Sequence, residues 1–590
     1  LSHLLNLAAS AADFSFFKDA DMSMKLHIAR PYVEALAEAF PELESLKAQL
    51  MFGDKVEVAF QDLTGPQVDR LHDIYGAAGP QMQNHQAQLA TLRRAFDANG
   101  TRFAATDLES VLPAIVAWLI EDAQRGWLFS MNIGGRPLPY VVGRVDYTAP
   151  SNDETGKIFV ELKANSRGEL TNVQVRINAV DIVGKTVAEI FAAKGFLRET
   201  PELIAAYDAN AQNYFDWRAR YGAQFSGQGL GFFAEDPAAS HRSNDWTRKD
   251  AVILSSGGNP ARLVNDESLL SNRSLTLEVT GDILGSYLRK AAKSNVYAEE
   301  DEVAAQKEAI RPDLFRQIPV HPFILMFHLD LHHYVWTHVE DVEPYSYQPD
   351  LKQKLVLPEE QTDLIDILTA EMDVLMDDIV AGKSGGTTVL CAGPPGVGKT
   401  LTAEVYAEIV RRPLYRVHSG QLGLNVAAME TALKEALLRA QRWGAVMLID
   451  EADVYIKRRQ DDMTMNAVVG VFLRVLEYFN GLLFLTTNRI DDIDEAIVSR
   501  CIALIRFHAP DAEARKRIWG VMSGQFGLNL DDSLIDALVE IYPQTSGRDI
   551  KGLAKLVAKY CRHRDTPPDL DVFKRCAIFR GLDRSDSVAA

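Results

Sequence analysis

The residues best suited to chemistry lie between Gly393 and Arg548. Gly393-Pro-Pro-Gly-Val-Gly-Lys-Thr400 has the spacing G-x-x-x-x-G-K-T. Backbone N–H groups of such a loop wrap a phosphate, and its glycines permit close approach because no Cβ stands in the way. Lys399 is placed to reach the β- and γ-phosphates, and the Thr400 hydroxyl to hold Mg2+. Pro394, Pro395, Gly396, Val397, Gly398 and Leu401 complete the candidate nucleotide cradle. Downstream, Asp450-Glu451 ends an apolar run. The first acid of such a pair assists the metal, and the second polarises the water that attacks the phosphate. Asn488 closes Leu-Thr-Thr-Asn and is expected beside the γ-phosphate.

These groups need rigid supports. Residues 389–391 read as a buried strand and 401–410 as a helix, so the loop joins a strand to a helix whose N-terminus favours negative charge. Residues 414–418, 445–450 and 481–488 read as further strands, and 427–442 as a helix. The pattern predicts an α/β fold with a parallel sheet flanked by helices. Residues 509–590 read as helical throughout, and Thr545-Ser-Gly-Arg548 opens one of those helices.

The order of P-loop, acidic strand, Thr-Thr-Asn strand and Ser499-Arg500 resembles the AAA+ ATPases, specifically the AAA clade. Trp443-Gly444 before Asp-Glu-Ala-Asp-Val, followed by Leu-Thr-Thr-Asn-Arg, is similar to bacterial and fungal AAA proteins with large N-terminal regions. The resemblance covers residues 381–590. It implies ATP and Mg2+ as cofactors and a homo-oligomeric ring, usually a hexamer, with ATP between subunits. It also implies Asn488 as sensor 1, Arg500 as an arginine finger acting on the neighbour's ATP, and Arg548 as sensor 2 in a helical lid. A surface arginine at a helix N-terminus is the alternative reading of Arg548. No second arginine stands at Ala503, where many members carry one, leaving Arg489 or Arg506 to compensate. Members that thread polypeptides usually carry an aromatic–aliphatic–glycine loop; here Ser419 to Met429 contains no aromatic residue, and Leu422-Gly423-Leu424 is a softer alternative. The basic Lys457-Arg458-Arg459 reads as an exposed helix end or as a second pore element.

The chain has 590 residues and a net charge of −19, which argues against a protein built mainly to grip nucleic acid. Its four cysteines form no disulfide or zinc spacing, no apolar run is long enough to span a bilayer, and Leu1-Ser-His-Leu-Leu shows no secretory pattern. A soluble protein of a reducing cytoplasm, with no membrane partner, is expected.

Upstream, residues 1–126 read as a helical N-terminal domain, with helices over 31–51, 81–96 and 107–123. Residues 127–345 read as a mixed α+β recognition domain. Hairpins are expected at 127–147 and 157–177, helices at 186–197 and 201–220, a loop over 222–250, strands at 251–254 and 274–279, and helices near 283–292 and 298–309. His321, His328, His332, His333 and His338 crowd a stretch of alternating polarity, which fits a sheet face or, alternatively, a metal site. Residues 346–380 read as a linker and helix, 381–508 as the large ATPase subdomain, and 509–590 as the lid. The expected function is an ATP-hydrolysing ring that remodels, unfolds or disassembles a protein partner recognised by the N-terminal half. A nucleic-acid-acting or defence-associated ATPase and a nucleotide-gated scaffold are the alternatives.

Overall fold

The structure, a computed structural model, describes residues 25–582 except 51–52, 60–61, 79–81, 83–84, 87–88, 90–100, 134–135, 151–154, 235–250, 257, 268–274, 279–310, 312, 371–385, 423–424, 459–462, 478 and 490.

The first segment is helical but also holds a strand pair. Strand β1 (Lys25–Ala29) leads through α1 (Arg30–Ala39) and α2 (Glu44–Gln49) to β2 (Lys55–Ala59), then to α3 (Gly65–Ala77). β1 and β2 pair antiparallel, with buried Leu26 opposite Val58 and Ile28 opposite Val56. The periodicity over 31–51 is broken because Phe40, preceding Pro41, is forced into an extended conformation. The helix expected at 81–96 falls largely outside the described residues. α4 (Leu108–Ile120) follows where 107–123 was expected.

An antiparallel sheet comes next: β3 (Trp127–Ile133), β4 (Arg136–Thr148), β5 (Lys157–Ser166), β6 (Glu169–Asn178), α5 (Val187–Ala193), β7 (Phe196–Arg198) and α6 (Pro201–Arg218), with strand order β6-β5-β4-β3-β7. Both expected hairpins are present. Arg167 and Gly168 both adopt left-handed backbone, the turn whose twist matches paired strands.

The loop expected over 222–250 is instead partly sheet: β8 (Gln224–Gly227) and β9 (Leu230–Phe233). They pair with other strands rather than with each other, so no local hairpin alternation announced them. β10 (Ala251–Ile253), β11 (Ser255–Ser256), β12 (Asn259–Asn265), β13 (Phe323–His328), β14 (His333–His338) and β15 (Val342–Pro344) complete this second antiparallel sheet. Residues 275–278 form no strand beyond a bridge from Glu278 to Gln317, and the helices expected near 283–292 and 298–309 lie outside the described residues. The connector after Asp341 is short sheet followed by a 3-10 turn over Pro349–Lys354.

α7 (Glu359–Ala370) leads to the parallel sheet: β16 (Thr387–Ala392), α8 (Lys399–Ile409), β17 (Leu414–His418), α9 (Ser419–Leu422), α10 (Val426–Trp443), β18 (Val446–Asp450), α11 (Met463–Leu476), β19 (Leu482–Thr487), α12 (Glu495–Val498) and β20 (Ala503–Arg506). The order is β17-β18-β19-β16-β20, all parallel. β18 and β19 are buried at every position, as strands covered by helices on both faces must be. The lid, α13 (Ala512–Phe526), α14 (Asp532–Ile541), α15 (Gly547–Arg564) and α16 (Leu570–Ile578), packs around Trp519, Leu553 and Phe573.

The second antiparallel sheet is welded to the parallel one. Phe327 of β13 lies 5.1 Å from Trp443 and 5.6 Å from Tyr415, ring to ring, in one core. Arg439 stacks over Phe327 at 4.7 Å and bonds Tyr415, while Arg442 reaches the buried Asp266 at 2.7 Å. Gly222 abuts the Trp443 backbone, where a Cβ would come within 3.0 Å. The cost of removing Asp266 from water is offset by hydrogen bonds from Tyr221, Tyr334 and Arg442.

Candidate functional site

The carboxyl ends of β16, β18 and β19 bring the sequence-predicted residues together. β16 runs into the glycine loop, where Gly393, Gly396 and Gly398 all have positive φ. At Gly393 a Cβ would collide with the Phe507 carbonyl; at Gly396 it would come within 2.7 Å of Ser546 Oγ. The loop is therefore held from below by β20 and from above by the lid. Gly398 caps α8 and aims its first N–H groups into the cradle. Pro394, Pro395 and Val397 line the same loop, and Leu401 on the first turn is 46% exposed.

Lys399 is tethered in this cradle. Its Nζ donates to Gly393 O (2.7 Å), Pro394 O (2.6 Å) and Asn488 Oδ1 (3.0 Å). Burial pulls its ammonium below the ordinary lysine value and Arg548 adds to that, while Asp450 and Asp453 oppose it. Arg548 is exposed on the first turn of α15, and its backbone N–H donates to Gly396 O at 3.2 Å. Ser546 caps that turn in a reciprocal pair with Asp549, which fixes where Arg548 departs.

Asp450 is buried and saturated. Its Oδ1 accepts from Thr400 Oγ1 (2.9 Å) and Thr486 Oγ1 (2.6 Å), and its Oδ2 from Arg416 Nη2 (2.5 Å). Burial alone would raise its pKa, but these bonds together hold it below the usual carboxylate value. Thr400 and Asp450 are adjacent hard oxygen donors. That set suits Mg2+, which takes one or two protein ligands and leaves its remaining positions to phosphate oxygens and water.

Glu451 is exposed, with left-handed backbone (φ 55°, ψ 49°). Such a conformation is unfavourable for a side chain of this kind and is stabilised here by a bond from its N–H to Thr486 Oγ1 (3.0 Å). The kink ends the buried strand at Asp450 and leaves Glu451 exposed beside it. Asp453 secures Asn488 by accepting from its N–H at 3.1 Å and from the Thr487 hydroxyl.

Arg500 stands apart from the cradle. It is exposed and bonds Glu477 at 2.5 Å and Ala496 O at 3.1 Å rather than any cradle residue. Arg489 is paired with Asp492, and Arg506 is exposed at the end of β20. Lys457 and Arg458 are not a helix end. Lys457 bridges to Ile493, and the Arg458 N–H donates to Asp492 O; Arg459 lies outside the described residues. Of the softer pore candidate, Leu422 is buried at the end of α9, and residues 423–424 are not described.

Sequence reasoning missed Arg416, Thr486 and Asp453. Arg416 is the charge in Leu-Tyr-Arg-Val-His, an otherwise apolar strand, and that mismatch was its only signal. The histidine stretch forms no ligand set. His321 Nε2 meets Pro139 O, His338 Nδ1 accepts from Arg136 and the Glu340 N–H, and His328 Nδ1 accepts from the N–H groups of Asp330 and Leu331. Among the described residues no group of three or more His, Cys, Asp or Glu could hold a metal ion, and no helix is long and apolar enough to cross a membrane.

A parallel sheet with a glycine cradle, a paired acid and hydroxyl, and a helical lid defines a P-loop ATPase module. Residues 389–509 match the ATPase family associated with various cellular activities (AAA), and this part of the chain is an AAA ATPase domain. The chain is 30% identical over 178 residues to proteasome-activating nucleotidase 2 of Haloferax volcanii, covering 28% of this chain and 43% of that protein. It is 32% identical over 190 residues to a putative 26S proteasome regulatory subunit homolog of Methanothermobacter thermautotrophicus (31% and 50%), and 27% identical over 197 residues to fidgetin-like protein 1 of Drosophila melanogaster (32% and 38%). The chain thus spans half or less of the length of these relatives. A chain of the E. coli MS115-1 HORMA:CdnC:Trip13 complex aligns over 42% of this chain and 94% of its own, at 18% identity and a TM-score of 0.33.

Proposed function

We propose that the protein is an ATP-driven homo-oligomeric ring, hexameric by the family pattern, that remodels a protein partner engaged by residues 1–345. Residues 381–508 serve as the large ATPase subdomain and 509–590 as the lid. The carrying observation is the division of the site. Lys399, Thr400, Asp450 and Asn488 meet through hydrogen bonds, while Arg500 bonds only outside the cradle. A cradle of this kind needs a further cation for the charge that develops on the transferred phosphoryl group, and a neighbouring copy would supply it.

In this reading the loop N–H groups and Lys399 bind the phosphates, and Arg548 reaches them from the lid. Thr400 and Asp450 would hold Mg2+, which neutralises phosphate charge. Glu451 orients the attacking water and takes its proton, and Asn488 fixes that water's position. The work reaches the partner through the Phe327–Trp443–Tyr415 core, because β17 packs Tyr415 against Phe327 of the second antiparallel sheet and bonds Asp450 through Arg416. A cytoplasmic setting accords with buried free thiols at Cys391 and Cys576.

The test is retention of a protein by the Glu451→Gln variant in ATP, followed by adding that protein to the wild type. The expected result is faster ATP turnover. Turnover indifferent to every retained protein, yet stimulated by DNA with a steep loss in salt, would overturn the proposal.

A further inference from the structure

Asp450 is held by more than its own strand. β17 and β18 run parallel and in register, with Arg416 opposite Leu448 and His418 opposite Asp450. Alternate residues of a strand share a face, so Arg416 and Asp450 lie on one face of the sheet, a diagonal step apart. Arg416 Nη2 donates to Asp450 Oδ2 at 2.5 Å, while Oδ1 accepts from the hydroxyls of Thr400 and Thr486. Each carboxylate oxygen therefore has its own partners.

Arg416 is anchored on a second side. Its Nη1 lies 3.6 Å from Glu404 Oε1 on α8. Thr400 and Glu404 are four residues apart, so they stand one above the other on the same face of that helix. The four side chains close a circuit: Thr400 to Asp450, Asp450 to Arg416, Arg416 to Glu404, and back along α8 to Thr400. Among the described residues Arg416 Nε is buried without a hydrogen-bond partner, which leaves the two Nη groups to fix the guanidinium. A charge in an otherwise apolar strand is costly, and the two acids offset that cost. Arg416 bonds no residue of the phosphate loop; its partners are Asp450 and Glu404 alone among the described residues.

We propose that Arg416 is a positioning residue for the metal half of the site: it orients Asp450 so that ATP is bound together with Mg2+, and it takes no part in holding the nucleotide alone. This rests on the assignment of Thr400 and Asp450 to Mg2+ in the proposed function. The last torsion of an aspartate has a broad, two-fold preference, so a free carboxylate can turn either oxygen toward Thr400. With Oδ2 held by Arg416, Oδ1 stays beside the Thr400 hydroxyl. Mg2+ demands near-ideal octahedral geometry, and a carboxylate that swings serves it poorly. Partners that orient a metal's carboxylate from behind typically carry a 10- to 100-fold effect on metal affinity. Glu404 in turn keeps the guanidinium from following Asp450, and it does so from the helix that carries Thr400.

The experiment is titration of the full chain with a fluorescent, non-hydrolysable ATP analogue, once in Mg2+ and once in EDTA. Mn2+ titrated into the analogue complex and followed by electron paramagnetic resonance reads the metal directly. Arg416→Ala should weaken Mn2+ binding, and analogue binding in Mg2+, by about 10- to 100-fold, while affinity in EDTA is unchanged. Arg416→Lys, which still brings one donor to Asp450, should recover most of that loss. Glu404→Gln frees only the exposed end of the circuit and should weaken metal binding by about fivefold or less. An equal loss in Mg2+ and in EDTA would mark Arg416 as a structural residue and overturn the inference. So would metal binding in Arg416→Ala that is unchanged or tighter, and if Asp450→Asn still loses the Mg2+ response the reading of the site stands without it. A wild type whose nucleotide affinity ignores Mg2+ overturns both.

Discussion

Lys399 bonds two loop carbonyls and Asn488, so it shapes the cradle that the proposed function fills with phosphate. Lys399→Ala should weaken ATP binding about 10- to 100-fold, the worth of charge-assisted hydrogen bonds, as read by titration with a fluorescent nucleotide. Glu451→Gln keeps those contacts and removes the proton acceptor. ATP affinity should hold while turnover falls about 10²–10⁴-fold in single-turnover assays. The cradle residues were legible in the sequence because their spacing is dictated by phosphate geometry. Arg416, Thr486 and Asp453 were not, because each acts through a partner far along the chain. Thr486 meets Asp450 only because β19 lies beside β18.

Elements with a local signature were legible: the strand–loop–helix of the cradle, the hairpins of the first sheet, and the capped helices. β8 and β9 were not, since a four-residue strand pairing with distant partners leaves no mark of its own. The histidines show the same limit. Their alternation was visible, but their orientation depends on packing. His321 is fully enclosed and edge-on to Tyr140, and burial lowers its pKa to about 4. A histidine whose folded value is lowered costs stability as pH falls below its unfolded value near 6.5. His321→Gln should therefore be destabilising at pH 7 but less so at pH 5, by about 2 kcal/mol. Urea unfolding at the two pH values checks this. A further expectation belongs to the joint between sheets. Phe327→Ala removes the ring that Trp443, Tyr415 and Arg439 all touch and should cost about 3–5 kcal/mol. In calorimetry the front half and ATPase module should then melt as separate transitions.

At the scale of the whole molecule, the second antiparallel sheet joins the parallel sheet at Phe327, Tyr415 and Trp443, and the C-terminal helices reach the cradle through Ser546 and Arg548. The chain's AAA domain was readable from four short motifs, but the joint at Trp443 emerges only in three dimensions. The central claim is that each active site is shared between copies, with Arg500 acting on the neighbour's ATP. Glu451→Gln subunits have a dead cradle and an intact Arg500; Arg500→Ala subunits have the reverse. Each alone should turn over ATP very slowly, the arginine variant by about 10³–10⁵-fold less than wild type. The decisive measurement is the ATPase rate of the two variants mixed in equal amounts and assembled together. The shared site predicts that turnover returns, because an intact cradle can then sit beside an intact Arg500. A rate no greater than the sum of the separate variants would contradict it.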